Sequence, residues 1–312
     1  MPEQLFDPSF LKKLEMLTLA ARQLFRGDTR GERRSTVHGA SVEFADFRPY
    51  VQGDDFRRID WNAYAKFETL MLRLFVEEQE LAVHVLLDCS ASMNYGGTGG
   101  IGNMENEKSP QNKFNYARRL AAALSYIALA NTDKVTFTTL AVDTEHDAYL
   151  GPPSGTMRGK PGIIRLMDHL QTLKAAGTTD LNASLTRWAM RTTRAGMVVI
   201  ISDFLSDNGY EEGVKRLRYG KHDVVLLHTL SPQELKPELM GDVRLVDMET
   251  NAGVDISANR QVMQAYTKRL NAFIGDMQSF AHKSGCSYVL ANTASNFEDL
   301  VLKQFRALGL AR

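Results

Sequence analysis

Three near-continuous apolar runs constrain this chain most: Val83 to Leu87, Met197 to Ile201 and Val224 to Thr229. Short apolar runs without polar alternation fit strands covered on both faces, and parallel strands need a crossover, usually helical, between them. Stretches of helical periodicity lie between the runs, at Asn112–Ala130, Ile163–Leu173, Leu181–Thr193 and Tyr210–Tyr219. The expected fold is therefore α/β: a doubly wound, mostly parallel sheet. Further strands are expected at Lys134–Val142, at Tyr288–Leu290 and, as an antiparallel edge, near Asp147–Leu150. Val243–Asp255 reads as a hairpin insertion. Val262, Tyr266, Leu270, Phe273, Met277 and Phe280 stripe one face of a long helix, and a last helix is expected over Asn296–Leu308.

The amino-terminal part has a different character. Leu11, Leu14, Leu17, Ala21 and Leu24 predict a helix over Pro8–Phe25, followed by the arginine-rich segment Arg26–Arg34, read as a solvated loop or an anion-binding patch. Then come an extended piece around Val42–Phe47, a turn and cap at Gly53-Asp54-Asp55, a short helix through Trp61 and Tyr64, and a strand at Leu70–Val76. The boundary falls near Glu80, giving an α+β extension over 1–80 and the α/β domain over 81–312.

Composition narrows the function classes. The 312 residues carry 37 basic and 37 acidic side chains, so total charge argues for neither a nucleic-acid nor a membrane-surface partner. No stretch approaches the roughly 18 apolar residues that span a bilayer, and Met1–Phe10, with Glu3 and Asp7, lacks the pattern of a secretory signal. The two cysteines, Cys89 and Cys286, are expected as buried free thiols. A cytoplasmic location is the expectation.

Polar residues just beyond the carboxyl ends of parallel strands are where α/β proteins place ligands. Asp88-Cys89-Ser90-Ala91-Ser92 follows the first run, Ser202-Asp203 follows the second, and Gly177-Thr178-Thr179-Asp180 stands in a loop between them. Each alone could be a helix cap or a turn. Together, in this order, they resemble the metal-ion-dependent adhesion site of the von Willebrand factor A family, built from Asp-x-Ser-x-Ser, a later threonine and a last aspartate. The resemblance implies a metal site of Asp88, Ser90, Ser92, Thr179 and Asp203. Thr179, beside Asp180, is the better match for the threonine. It also implies Mg²⁺ or Mn²⁺, and recognition of a partner protein through an acidic residue that completes the coordination. An all-oxygen donor set suits such hard ions.

A narrower likeness spans the chain. Glu43-Phe44-Ala45-Asp46-Phe47-Arg48-Pro49-Tyr50, then Gly53-Asp54-Asp55 and Arg57-Arg58-Ile59-Asp60-Trp61, resemble the signature of the bacterial domain of unknown function 58 family, whose members often accompany MoxR-type AAA ATPases. By itself that block reads as an ion-pair network fastening the extension, or as a docking face. The resemblance implies a cation-dependent adaptor working with such an ATPase or its client, with no catalytic residues. The alternative is a Mg²⁺-dependent phosphoryl-transfer enzyme with Asp88 as nucleophile, although the second aspartate of such sites is replaced by Ser90. The glycine-rich insertion Asn94–Gln111 has no Gly-Lys-Ser or Gly-Lys-Thr and is not a phosphate loop; it reads as a rim that orders on binding or as plain disorder.

Overall fold

The computed structural model describes residues 12–16, 42–52, 54–77, 82–97, 109–130, 134–143, 148–150, 155–192, 194–297 and 299–301. Most of the expected first helix, the Arg26–Arg34 segment, the middle of the glycine-rich insertion and the end of the last helix lie outside them. The chain divides into two compact units, Arg30–Glu80 and Leu81–Arg312, the latter together with Met1–Thr29.

In chain order, residues 12–16 are helical (α1), with Leu14 fully buried in the larger unit's core. The smaller unit holds β1 (Val42–Pro49), α2 (Trp61–Phe67) and β2 (Met71–Glu77). β1 and β2 pair antiparallel, with a register shift between Phe44 and Asp46. Acidic residues of the signature block serve local geometry. Asp54 takes a two-pronged contact from Arg48 at 2.9 and 2.7 Å and accepts the Val51 amide. The Arg48 contact, and after it the Val51 amide, hold its carboxyl below the usual range. Asp55 caps the 3-10 turn Phe56–Arg58, and Asp60 caps α2 by accepting from the Asn62 and Ala63 amides. Phe56, Trp61, Tyr64 and Phe67 stand exposed on this unit.

The larger unit runs β3 (Ala82–Asp88), α3 (Lys113–Ala130), β4 (Lys134–Asp143), β5 (Ala148–Leu150), β6 (Thr156–Met157), α4 (Gly159–Thr172), α5 (Leu181–Arg191), β7 (Met197–Ser202), α6 (Glu211–Tyr219), β8 (Asp223–Leu230), α7 (Pro232–Leu235), β9 (Gly241–Val246), β10 (Gly253–Ala258), α8 (Arg260–Lys283) and β11 (Ser287–Asn292). It is a mixed α/β fold. The sheet order is β11-β8-β7-β3-β4-β5, with β6 also beside β4. β3, β4, β7, β8 and β11 are mutually parallel, and β5 and β6 are antiparallel edges.

The period-2 geometry of strands explains why the runs are apolar throughout. Val83, Val85, Leu87, Val199 and Ile201 face one core, shared with Leu120 and Ile127 of α3 and Leu166 and Leu170 of α4. The intervening Leu86, Val198, Ile200, Val224 and Leu226 face a second core with Leu185 and Trp188 of α5, Val214 and Leu217 of α6 and Met277 of α8. His84 lies among the second set, 5.0 Å from the Trp188 ring, and burial lowers its pKa to about 4, so the imidazole is neutral.

Four features depart from sequence expectation. α4 begins at Gly159 rather than Ile163, because Pro161 falls in the first helical turn, where its missing N–H costs nothing. The short β6 and α7 carried no periodic signal. The α8 stripe buries only toward its carboxyl end: Met277 is fully buried, whereas Val262 and Tyr266 are more than a third exposed. Tyr266 instead donates its hydroxyl to the Glu234 carbonyl at 2.8 Å. Cys89 is buried, while Cys286 is only half-buried. Among the described residues no helix is long and apolar enough to cross a membrane.

β3 and β7 approach closely where β7 begins. A Cβ on Gly196 would meet the Ala82 carbonyl oxygen at 2.2 Å. Gly196→Ala must therefore separate the two central strands, and the cost of overpacking is about 1–3 kcal/mol. Chemical denaturation should show a lowered midpoint with an unchanged slope.

Candidate functional site at the carboxyl ends of the central strands

From β3 the chain goes first to β4 on one side and later to β7 on the other, so the strand order reverses at β3. Loops leaving adjacent strands there diverge to opposite faces and open a crevice. Asp88 ends β3 and Asp203 follows β7, both almost fully buried.

Backbone contacts hold the loops against one another. The Cys89 amide donates to the Leu140 carbonyl, the Ala91 amide to the Gly177 carbonyl, and the Ala176 amide to the Cys89 carbonyl, at 2.8–2.9 Å. Gly177 sits at φ 73°, a conformation that favours glycine, and this turn delivers Thr179 beside Asp88. Asp180 caps α5 by accepting the Ala183 amide at 2.8 Å. Its role is structural and leaves Thr179 to face the site. The 3-10 turn Ala91–Met93, anchored by fully buried Met93, places Ser92 next to Ser90.

Asp88 is the hub of this arrangement. Oδ1 accepts the Ser90 amide and the Thr179 hydroxyl, both at 2.9 Å, and Oδ2 accepts the Ser202 hydroxyl at 2.6 Å. Ser202 in turn accepts the Phe204 amide at 2.8 Å. Phe204, at φ 56°, is a buried non-glycine residue in the left-handed region, a cost on the order of 1–3 kcal/mol, and its ring is packed between Tyr210 and His228. The Ser90 and Ser92 hydroxyl oxygens lie 2.9 Å apart. All five expected residues, Asp88, Ser90, Ser92, Thr179 and Asp203, thus gather at one place.

Three charged residues near this centre were not among the residues expected from the sequence. Lys113, at the start of α3, is about 1% exposed and bridges Asp203 Oδ2 at 2.7 Å and Glu234 Oε1 at 2.6 Å. A buried ammonium must be paired, but only the fold reveals with what. Glu234 was partly legible, because Ser231-Pro232-Gln233-Glu234 is a capping box, and both of its reciprocal contacts form. Glu249, in the turn between β9 and β10, is half-buried and stands near enough to Asp88 and Asp203 for their charges to act on it.

The electrostatics follow from this crowding. Burial, then the neighbouring Asp203, raises Asp88 to about 6. Burial, with Asp88 and Asp203 nearby, raises Glu249. Burial alone would raise Asp203 as well, but Lys113 more than offsets it, and the carboxyl ends below its ordinary range. Burial opposes the Lys113 charge, yet Asp203 and Glu234 outweigh it and hold the ammonium protonated.

The hydroxyl protons at this centre are already committed. Thr179 and Ser202 donate theirs to Asp88, and Ser90 and Ser92 share a hydrogen bond with each other. Such a set of hydroxyl and carboxylate oxygens fits a hard divalent cation. Among the described residues no three His, Cys, Asp or Glu side chains form a metal-binding group, so a cation here would draw on hydroxyl oxygens as well as carboxylates.

The glycine-rich insertion enters this region at its described start. Gln233 donates to the Gly97 carbonyl at 2.6 Å, and the Lys113 amide donates to the Tyr95 carbonyl at 2.9 Å.

Fold and site thus define an α/β protein with an oxygen-lined centre where its strand order reverses. The chain belongs to the family described as protein of unknown function DUF58, which it matches over residues 46–272. It is 24% identical over 272 residues to the uncharacterized protein Rv1480 of Mycobacterium tuberculosis, covering 87% of this chain and 81% of that one, and 27% identical over 100 residues to the uncharacterized protein MAV169 of Mycobacterium avium, covering 32% and 59%. Among solved structures it is similar to the conserved hypothetical protein BatB of Bacteroides thetaiotaomicron, with 14% identity, a TM-score of 0.41, and coverage of 73% of this chain and 98% of that one. An aerotolerance-related membrane protein of Bacteroides fragilis gives 15% identity and a TM-score of 0.43 with the same coverage.

Removing one partner of a buried ion pair strands the other charge and costs about 3–5 kcal/mol. Lys113→Met should therefore lower stability by that order, and adding Asp203→Asn should recover part of it. Denaturant titration of both variants tests this coupling.

Proposed function

We propose that the protein is a divalent-cation-dependent protein-binding adaptor with a von Willebrand factor A-like metal-ion-dependent adhesion site. The observation that carries this reading is the convergence of Ser90, Ser92 and Thr179 hydroxyls with Asp88 and Asp203 where the strand order reverses. Ser90, Ser92 and Thr179 would hold Mg²⁺ or Mn²⁺ through neutral oxygens, and Asp88 and Asp203 would do so directly or through water. The ion, when bound, supplies a positive centre that a partner's Asp or Glu can complete. Lys113 satisfies one oxygen of Asp203 and keeps that carboxylate oriented. A MoxR-type AAA ATPase, or its client, is the partner we propose.

The phosphoryl-transfer alternative is less well supported. Asp88 is buried and both of its oxygens accept hydrogen bonds, which leaves it a poor nucleophile. Ser90 stands where a second acid would be needed. Hydrolysis of p-nitrophenyl phosphate or ATP by the purified chain should stay at background with Mg²⁺. A metal-dependent turnover abolished by Asp88→Asn would favour the enzyme.

Calorimetry should detect one Mn²⁺ or Mg²⁺ per chain, weakened by roughly 10–100-fold in Asp88→Asn, on the scale of losing a group that orients metal ligands. Equal binding by both proteins would remove Asp88 from the site. Capture of a purified MoxR-type AAA ATPase should be lost on chelation and weakened in Ser90→Ala, Ser92→Ala and Thr179→Ala. Retention in all of these would move the recognition surface elsewhere, with the exposed aromatics Phe56, Trp61, Tyr64 and Phe67 first in line.

A further inference from the structure

Among the described residues β9 and β10 form a ribbon that pairs only with itself, and β9 is exposed at every position but Val243. A lone two-stranded ribbon is marginally stable in water, and further strands are what secure one. The antiparallel register is unbroken from Gly241 opposite Ala258 to Val246 opposite Gly253. Just beyond it the Asp247 amide donates to the Ala252 carbonyl at 2.8 Å, which makes these two a hydrogen-bonded pair. Such pairs alternate with non-bonded ones along an antiparallel ladder. Val243 and Leu245 therefore direct their backbone N–H and C=O groups at β10, whereas Asp242, Arg244 and Val246 direct theirs outward. Among the described residues no strand meets that outer edge.

An open edge invites a further strand, and the side chains along this one select it. Asp242 and Arg244, two residues apart, stand on one face of the ribbon, and both are exposed. The Ser257 hydroxyl donates to Asp242, and the Arg244 guanidinium lies over Gly253, where an added Cβ would meet Nε at 2.6 Å. Neither is ion-paired among the described residues. A second β9 laid antiparallel along the first must set outward-facing residues opposite one another. Centred on Asp242 or on Arg244, it opposes that residue to its own copy, and like charges directly opposite are unfavourable. Centred on Leu245, it leaves both charges unmatched. Centred on Val243, it sets Asp242 against Arg244 twice, once on each side of a two-fold axis, with the two Val243 side chains adjacent on the other face. The outer edge of β10 offers no such match, because Gly253, Asp255 and Ser257 bring it one charge, an acid. Pairing β9 with the β10 of another copy gains one Arg244–Asp255 contact and leaves an edge open at each end, so it builds a growing chain of copies.

We propose that the outer edge of β9 is a self-association surface, on which two copies pair β9 with β9 about Val243 into a four-stranded sheet held by two Asp242–Arg244 contacts. The occupant of the edge is a second copy of this chain. An edge of six residues is short beside a standard protein interface, so the pair is weak and forms as concentration rises. The inference is independent of the cation-dependent reading above, and adds that two Asp88 centres travel in one particle.

Sedimentation equilibrium of the full chain, carried up to about 1 mM protein, should show a monomer–dimer equilibrium that high salt weakens. Asp242→Arg puts arginine opposite arginine, and Arg244→Asp puts aspartate opposite aspartate. Each variant should dimerise on the order of tenfold more weakly. Mixed in equal amounts the two are complementary again, and native mass spectrometry should find the heterodimer in excess over either homodimer. Both substitutions lie at exposed positions, so circular dichroism should match the wild type. Arg244→Asp also faces Asp255 within its own ribbon, and Val243→Cys gives a measurement free of that strain. On oxidation it should yield a disulfide joining residue 243 of one copy to residue 243 of the other, because a non-bonded pair brings the Cα atoms to about 4.5 Å. A wild type that stays monomeric over the whole range overturns the proposal. So does a dimer that both charge variants leave unchanged, growth beyond the dimer through β9 and β10, or a crosslink that maps to Cys286 in place of residue 243.

Discussion

The buried carboxylate of Asp88 is the contact on which the functional end of this protein depends. It ends the central strand, and its two oxygens collect donors from three separate segments: the Ser90 amide, the Thr179 hydroxyl and the Ser202 hydroxyl. Hydrogen bonds to a charged group are worth about 1.5–3 kcal/mol each. Three of them offset much of the penalty for burying an anion. The same three bonds set the relative positions of the loops, so positioning the site and stabilising Asp88 are one event.

Charge balance then dictates what surrounds that hub. Asp203 adds a second buried carboxylate, which Lys113 neutralises in part, and Glu234 draws on the same ammonium from α7. α3 and α7 are thereby tied to the strand ends by an ion triad inside the protein. Removing water strengthens each attraction in the triad, and equally the repulsion among whatever acids lack a partner. Burial first, and then such repulsion, pushes Asp88 and Glu249 upward. The residual negative charge is local, since the whole chain is balanced between 37 basic and 37 acidic residues.

The two units divide their labour in the way they use acidic residues. In Arg30–Glu80, Asp54, Asp55 and Asp60 are engaged in a turn, a 3-10 cap and a helix cap, each bonded to backbone within three residues. They serve local folding. In the larger unit Asp88 and Asp203 converge from positions far apart in the chain. Of the local acids Asp54 is balanced by Arg48, whereas the acids gathered across the sheet bring like charges together.

Much of the α/β fold was legible because burial on both faces of a parallel sheet forces runs such as Val83–Leu87 and Met197–Ile201 to be apolar at every position, a pattern that needs no knowledge of neighbours. The Asp-x-Ser-x-Ser segment, Thr179 and Asp203 were legible for a related reason: they directly follow strands or precede a helix whose ends the pattern marks. What the sequence could not determine is which distant charges meet. Lys113 follows a polar insertion, Glu249 sits in an exposed turn, and nothing in their neighbours distinguishes them from solvated side chains. Lys113 is separated from its partners Asp203 and Glu234 by 90 and 121 residues. Periodicity records what each segment buries, but the pairing of charges depends on how crossovers bring segments together. Only the tertiary structure decided that.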